Sequence, residues 1–172
     1  MPMENFALFP IWYVIFLFSL TCHEAAHALA AKLGGDSTAY EGGQVSLNPL
    51  PHIRRALFGT VVIPILSFAL SGWMMGWANA PYDPLWQQRY PRRAAWMALA
   101  GPLANFALVL IATAGIFIGA WVGYLHKPAS TDEIAFPGIV AAGATALAVV
   151  LVRFLGILFS LNLLLATFTL MP

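Results

Sequence analysis

The chain has 172 residues, of which 60% are hydrophobic and 9% charged, with a mean hydropathy of +0.79. A soluble domain carries charge on roughly a quarter of its residues, so this composition excludes an ordinary soluble domain and places the chain in a lipid bilayer. The net charge of +1 offers no basic field for nucleic acid, and the single cysteine, Cys22, excludes an internal disulfide.

The length suggests one domain over residues 1–172. Met1 to Pro10 lacks the basic region of a cleavable signal, so the first apolar run is expected to be a retained helix. Crossing a bilayer takes about 20 apolar residues. The first run meets that from about Phe6 to Leu33. In the connection from Gly34 to Ala56, Thr38 to Tyr40 and Gln44 to Leu47 flank Glu41-Gly42-Gly43. That pattern predicts a short β-hairpin around a glycine turn, stopped by Asn48-Pro49-Leu50-Pro51. A plain connecting loop fits the same residues.

A second span is predicted from about Leu57 to Trp77, then an exposed proline- and arginine-rich loop from Asn79 to Arg93. The third span runs from about Ala94 to Tyr124, a polar loop from His126 to Glu133, and the fourth span from about Phe136 to the end. Trp12, Tyr13, Trp73, Trp77, Trp96, Trp121 and Tyr124 cluster at span ends, as an aromatic belt does. The expected fold is an all-α membrane protein of about four transmembrane helices, with a short β-hairpin insert after the first. Its expected location is integral and multi-pass in a cell membrane. Lys32, Arg54, Arg55 and Lys127 stand against Arg89, Arg92 and Arg93, too even a balance to set the orientation.

His23-Glu24-Ala25-Ala26-His27 carries the chemistry. It matches H-E-x-x-H, and on a helix residues i and i+4 share a face. Both imidazoles can address one zinc ion, with Glu24 beside them to take a proton from the attacking water and return it to the leaving amine. The motif falls about 12 residues past Ile11, or about 18 Å along the helix, inside the hydrocarbon slab. Ionisable residues there are costly and mark function by default. A catalytic zinc site takes three protein ligands and a water. No further acidic residue lies within a span, so the residues alone leave the third ligand open; His52, in a connection, reads rather as a surface or interface histidine. Cys22 reads as a packing residue.

Gly101 and Asn105 share a helix face. The glycine allows close helix approach, and the asparagine amide needs a buried partner. Asn105 is therefore either interhelical glue or a group that faces the metal site. Asn162 reads as a structural hydrogen-bonding residue between helices, and Arg153 as a cation that snorkels or pairs at an interface.

Several motifs in order resemble the site-2 protease family of intramembrane zinc metalloproteases. His23 to His27 matches its zinc motif. Val45-Ser46-Leu47-Asn48-Pro49-Leu50-Pro51-His52-Ile53 is similar to its loop before the second helix, and Gly72-Trp73 with Gly76-Trp77-Ala78 to the end of that helix. Ala100-Gly101-Pro102-Leu103-Ala104-Asn105 resembles its G-P-x-A-N element, and Leu161 to Pro172 the approach to N-x-x-P-x-x-x-L-D-G. The resemblance implies a zinc endopeptidase with zinc-bound water as nucleophile, zinc on His23 and His27, Glu24 as general base and acid, and Asn105 assisting substrate. It implies membrane-anchored protein substrates cut within or near a transmembrane segment, and capture of an unwound stretch of substrate by the hairpin. It says nothing of oligomeric state.

Thr169, Arg54 and Gln44 depart from the family's usual asparagine, aspartate and arginine. The family's aspartate ligand would follow Pro172, so the expectation is a sequence truncated ahead of the third zinc ligand. The alternative is a catalytically inactive relative that binds membrane proteins without cleaving them.

Overall fold

The computed structural model describes residues 8–126, 141–142 and 146–170. Three long helices form the bundle: α1 (Phe9–Leu33), α6 (Pro91–Trp121) and α7 (Ala146–Leu170). Each is long and apolar enough to cross a membrane. At 1.5 Å per residue they extend about 37, 46 and 37 Å, each more than a hydrocarbon core of about 30 Å. Helix α6 packs against both α1 and α7, and α1 also meets α7.

Shorter elements lie between them: α2 (Thr38–Glu41), α3 (Pro49–Arg55), a π-helix (Phe58–Val62) running into α4 (Ile63–Ser71), and α5 (Pro84–Arg89). Local chemistry sets their ends. Asn48 and Asp83 cap α3 and α5 by accepting from the amides of Leu50 and Leu85 at 3.0 and 2.9 Å, with Pro49 and Pro84 next in line. Helix α1 ends at Gly34, and Gly35 follows at φ +96.

No hairpin forms between Gly34 and Ala56. The carboxylate of Asp36 accepts from the Thr38 amide at 2.9 Å and from its hydroxyl at 2.5 Å, and this starts the helical turn of α2. The proline-rich stretch then becomes α3 rather than a stop. The predicted strands were too short for a two-residue period to outweigh these side-chain caps. Among the described residues the one strand pairing is elsewhere: β1 (Leu125–His126) runs antiparallel to β2 (Ala141–Ala142).

The expected second span is not one long helix either. Helices α3 and the π-helix/α4 pair meet at 112°. Gly72 (φ +76) ends α4 in the left-handed region, which costs glycine little. The chain then folds back along the helix it has just left. The Met75 amide donates to the Ser67 hydroxyl at 2.9 Å, and the Trp77 amide to the Gly59 carbonyl at 3.1 Å. The backbones of Gly59 and Gly76 touch where a side chain on either would clash.

Other boundaries shift less. The loop expected from Asn79 to Arg93 contains α5 and the start of α6. The polar loop after His126, with Lys127, lies outside the described residues, as do residues 136–140 and 143–145 of the expected fourth span and residues 1–7. The aromatic belt divides: Trp121 and Trp96 are exposed, but Trp12 is buried and packs edge-on against Trp73.

The core joins Trp12, Ile15, Phe16 and Leu20 of α1 to Phe68 of α4 and to Ile157, Leu158 and Leu161 of α7. Asn162 makes the interhelical bond expected of it, donating to the Ser19 hydroxyl at 2.9 Å. Such a bond between apolar helices contributes on the order of 1 kcal/mol.

Candidate metal centre

His23, Glu24 and His27 are all on α1, two-thirds of the way along it, and line one cavity of about 970 Å³. His23 and Glu24 are buried at 6% and 4% exposure. The opposite walls come from α6 through Met97, Ala98 and Pro102, from the irregular stretch around Ala80, and from Thr169 near the end of α7. Ala80 is also the backbone neighbour that bears on the Glu24 carboxylate.

The two imidazoles converge. Their Nε2 atoms are 3.0 Å apart. Two nitrogens held about 2.0–2.1 Å from a tetrahedral zinc would stand about 3.3 Å apart, so the spacing suits a shared ion. His27 is anchored for that role. Its Nδ1 is 2.7 Å from the Met97 carbonyl, which can only accept, so Nδ1 carries the proton and Nε2 presents its lone pair.

Gly101 faces this pair across the interface of α1 and α6. A methyl group added there would fall 2.6 Å from His23 Nε2 and closer still to His27 Nε2. Any side chain there would press into both rings, so only glycine leaves the space in front of them open. A convergent imidazole pair, a hollow in front of it and an adjacent carboxylate fit a zinc ion. His23 and His27 would hold it. Among the described residues no set of three His, Cys, Asp or Glu side chains stands together.

Asn105 lies one turn beyond Gly101 on α6 and is fully buried. Neither its amide nitrogen nor its oxygen has a hydrogen-bond partner, and the same is true of His23 Nδ1. Besides His27, the Asn105 side chain and the Gly101 backbone are polar groups that bear on the His23 ring.

His52 is not part of this site. It is buried in α3 with Nε2 donating to the Ser46 carbonyl at 3.1 Å, and it does not line the cavity. The sequence pattern did not reveal the Met97 carbonyl or the Ala80 stretch, because backbone groups leave no trace in residue types. Gly101 was legible as a small residue at a helix contact, though not as the floor of the metal hollow.

Comparison with known proteins follows the same line. Over 167 residues the chain is 30% identical to a provisionally named zinc metalloprotease of Bacillus subtilis, YwhC, an alignment that covers 96% of the chain and 64% of the relative. Over 113 residues it is 29% identical to a provisionally named zinc metalloprotease of Mycolicibacterium smegmatis, Rip2, covering 64% of the chain and 41% of the relative. The chain therefore spans less than two thirds of the length of these relatives. No family model and no solved structure matches it.

Proposed function

The chain belongs to the site-2 protease family, and from that premise we propose that it is a zinc endopeptidase cutting membrane-anchored proteins within or near their transmembrane segments. The observation that carries the reading is the convergence of His23 and His27 at 3.0 Å, beside Glu24, on a cavity wall deep in an apolar helix.

When bound, zinc would supply Lewis acidity, lowering the pKa of a water toward 7 and polarising a substrate carbonyl. The chain's own groups do the rest. Glu24 takes a proton from the attacking water and passes it to the leaving amine. Asn105, fully buried and off the cavity wall, bears on the His23 ring.

A helical substrate cannot be cut while its carbonyls are engaged in helical hydrogen bonds. The irregular stretch from Ala78 to Tyr82 lines the cavity beside Glu24. Non-helical backbone at membrane depth is tolerated where it lines a cavity. Its backbone groups give an unwound segment something to pair with. That role falls to this stretch and not to the hairpin expected after α1, which is absent.

The test is zinc content per chain for the full-length protein purified in detergent, beside a His23→Ala/His27→Ala control. One zinc per chain, lost in the control, supports the reading. Zinc no higher than in the control would overturn it. Glu24→Gln is expected to keep the metal and lose cleavage of a membrane-anchored substrate by several orders of magnitude, as removal of a central proton-transfer group does.

A further inference from the structure

The two histidines are not held alike. His27 donates from Nδ1 to the Met97 carbonyl, which fixes its ring and its tautomer. His23 Nδ1 is buried and has no such partner. Yet the two rings must act together, because their Nε2 atoms face each other at 3.0 Å. Two lone pairs do not rest at that distance unless a proton or a cation lies between them. A proton on His23 Nε2 would satisfy the contact but withdraw that nitrogen from a metal. To serve as a ligand, His23 must carry its proton on Nδ1, and that proton needs an acceptor.

Asn105 is placed to be it. It sits one turn past Gly101, the residue that faces both Nε2 atoms, and it is fully buried with both amide atoms unsatisfied. A buried amide and a buried ring nitrogen left without partners on facing helices each carry an unmet desolvation cost. One bond, Nδ1–H of His23 to Oδ1 of Asn105, relieves both. We infer that Asn105 is a positioning residue for the metal site, accepting from His23 Nδ1 and so selecting the tautomer that presents Nε2. The inference rests on the metal-site reading above and deepens it: a buried amide orients one of the two ligands with its oxygen.

The acceptor role can be tested by substitution. Asn105→Asp keeps an acceptor and removes the donor, while Asn105→Leu removes both at similar size. In the full-length protein, zinc affinity measured by competition with a chromogenic chelator is expected to fall roughly 10–100-fold in Asn105→Leu, the range for lost outer-shell partners. Asn105→Asp, which keeps the acceptor, is expected to stay near wild type in affinity. The visible absorption of the cobalt-substituted protein reads ligand orientation directly. It should change in Asn105→Leu and be restored in Asn105→Asp, whereas a merely structural asparagine would not be rescued by a carboxylate. If the leucine variant fails to fold, as judged by helical content in detergent, Asn105→Ala carries the same comparison. Wild-type zinc affinity and cobalt spectrum in the apolar variants would overturn the inference and leave the metal site standing. Absence of zinc from the wild type would overturn both.

Discussion

Gly101 stands nearer to His23 and His27 than any side chain could, and that closeness makes it the most telling single residue in the site. In an exposed helix, alanine is the better residue by about 1 kcal/mol, so glycine here is retained against helix propensity. Gly101→Ala is expected to strengthen the helix locally while driving a methyl group into both imidazoles. Overpacking of this kind costs about 1–3 kcal/mol, which corresponds to roughly a 5- to 150-fold loss of zinc affinity if the rings turn aside to relieve it. Gly115 on the same helix is the control. There an added methyl meets only the end of the Leu155 side chain, at 3.0 Å, which can move, so Gly115→Ala should bind zinc as the parent does. Retained affinity in Gly101→Ala would mean that the ion does not lie between the two nitrogens and α6. At this scale the sequence was legible where chemistry is tied to spacing. The interval from His23 to His27 places two ligands on one face whatever the tertiary structure. It was silent on Met97, whose contribution is a carbonyl any residue could supply.

The segment from Leu57 to Trp77 illustrates what hydropathy alone cannot resolve. It is long and apolar enough to read as a span, and a window average carries no information about a reversal of direction. The reversal is written in a few residues: Gly72 in a left-handed conformation, the Ser67 hydroxyl that takes the Met75 amide, and the contact of Gly59 with Gly76. The π-helix at its start, Phe58–Val62, is a feature often found near functional sites. The outcome is that the two ends of the segment meet. Arg55 before it donates from Nε to the Asn79 side chain after it, at 3.3 Å. Both ends should therefore lie on one side of the membrane. In a background with Cys22 replaced by alanine, cysteines at the exposed positions Arg54 and Leu85 should both react with a membrane-impermeant maleimide from the same side of sealed vesicles. Labelling from opposite sides would show that the segment crosses. The same geometry explains why the Ala78 to Tyr82 stretch reaches Glu24: a chain that crossed at this point would leave from the far face instead.

For the molecule as a whole, the question is which surface meets lipid. The three long helices differ in how much of themselves they commit to the bundle. In α1 over half of the most apolar window is buried, in α6 about a fifth. Helix α1 carries His23, Glu24 and His27 and is the most buried of the three; α6 turns Gly101 and Asn105 inward and presents Trp96, Leu103, Phe106, Leu110 and Phe117 outward. The sequence foretold helices and their apolar character, because length and composition decide those. It could not separate tryptophans that anchor at the interface from those that pack, since both sit near helix ends. Trp12 is 3% exposed, in the core with Phe68 and Trp73, whereas Trp121 is 88% exposed. That difference is measurable. The chain has six tryptophans, so variants retaining one and replacing the others with phenylalanine can be reconstituted into bilayers of brominated lipid, which quenches fluorophores in contact with acyl chains. Trp96 and Trp121 should be quenched several-fold more strongly than Trp12. Equal quenching of Trp12 would place the α1 face that carries it against lipid. The burial of that face of the metal-site helix against α4 and α7 would then have to be abandoned.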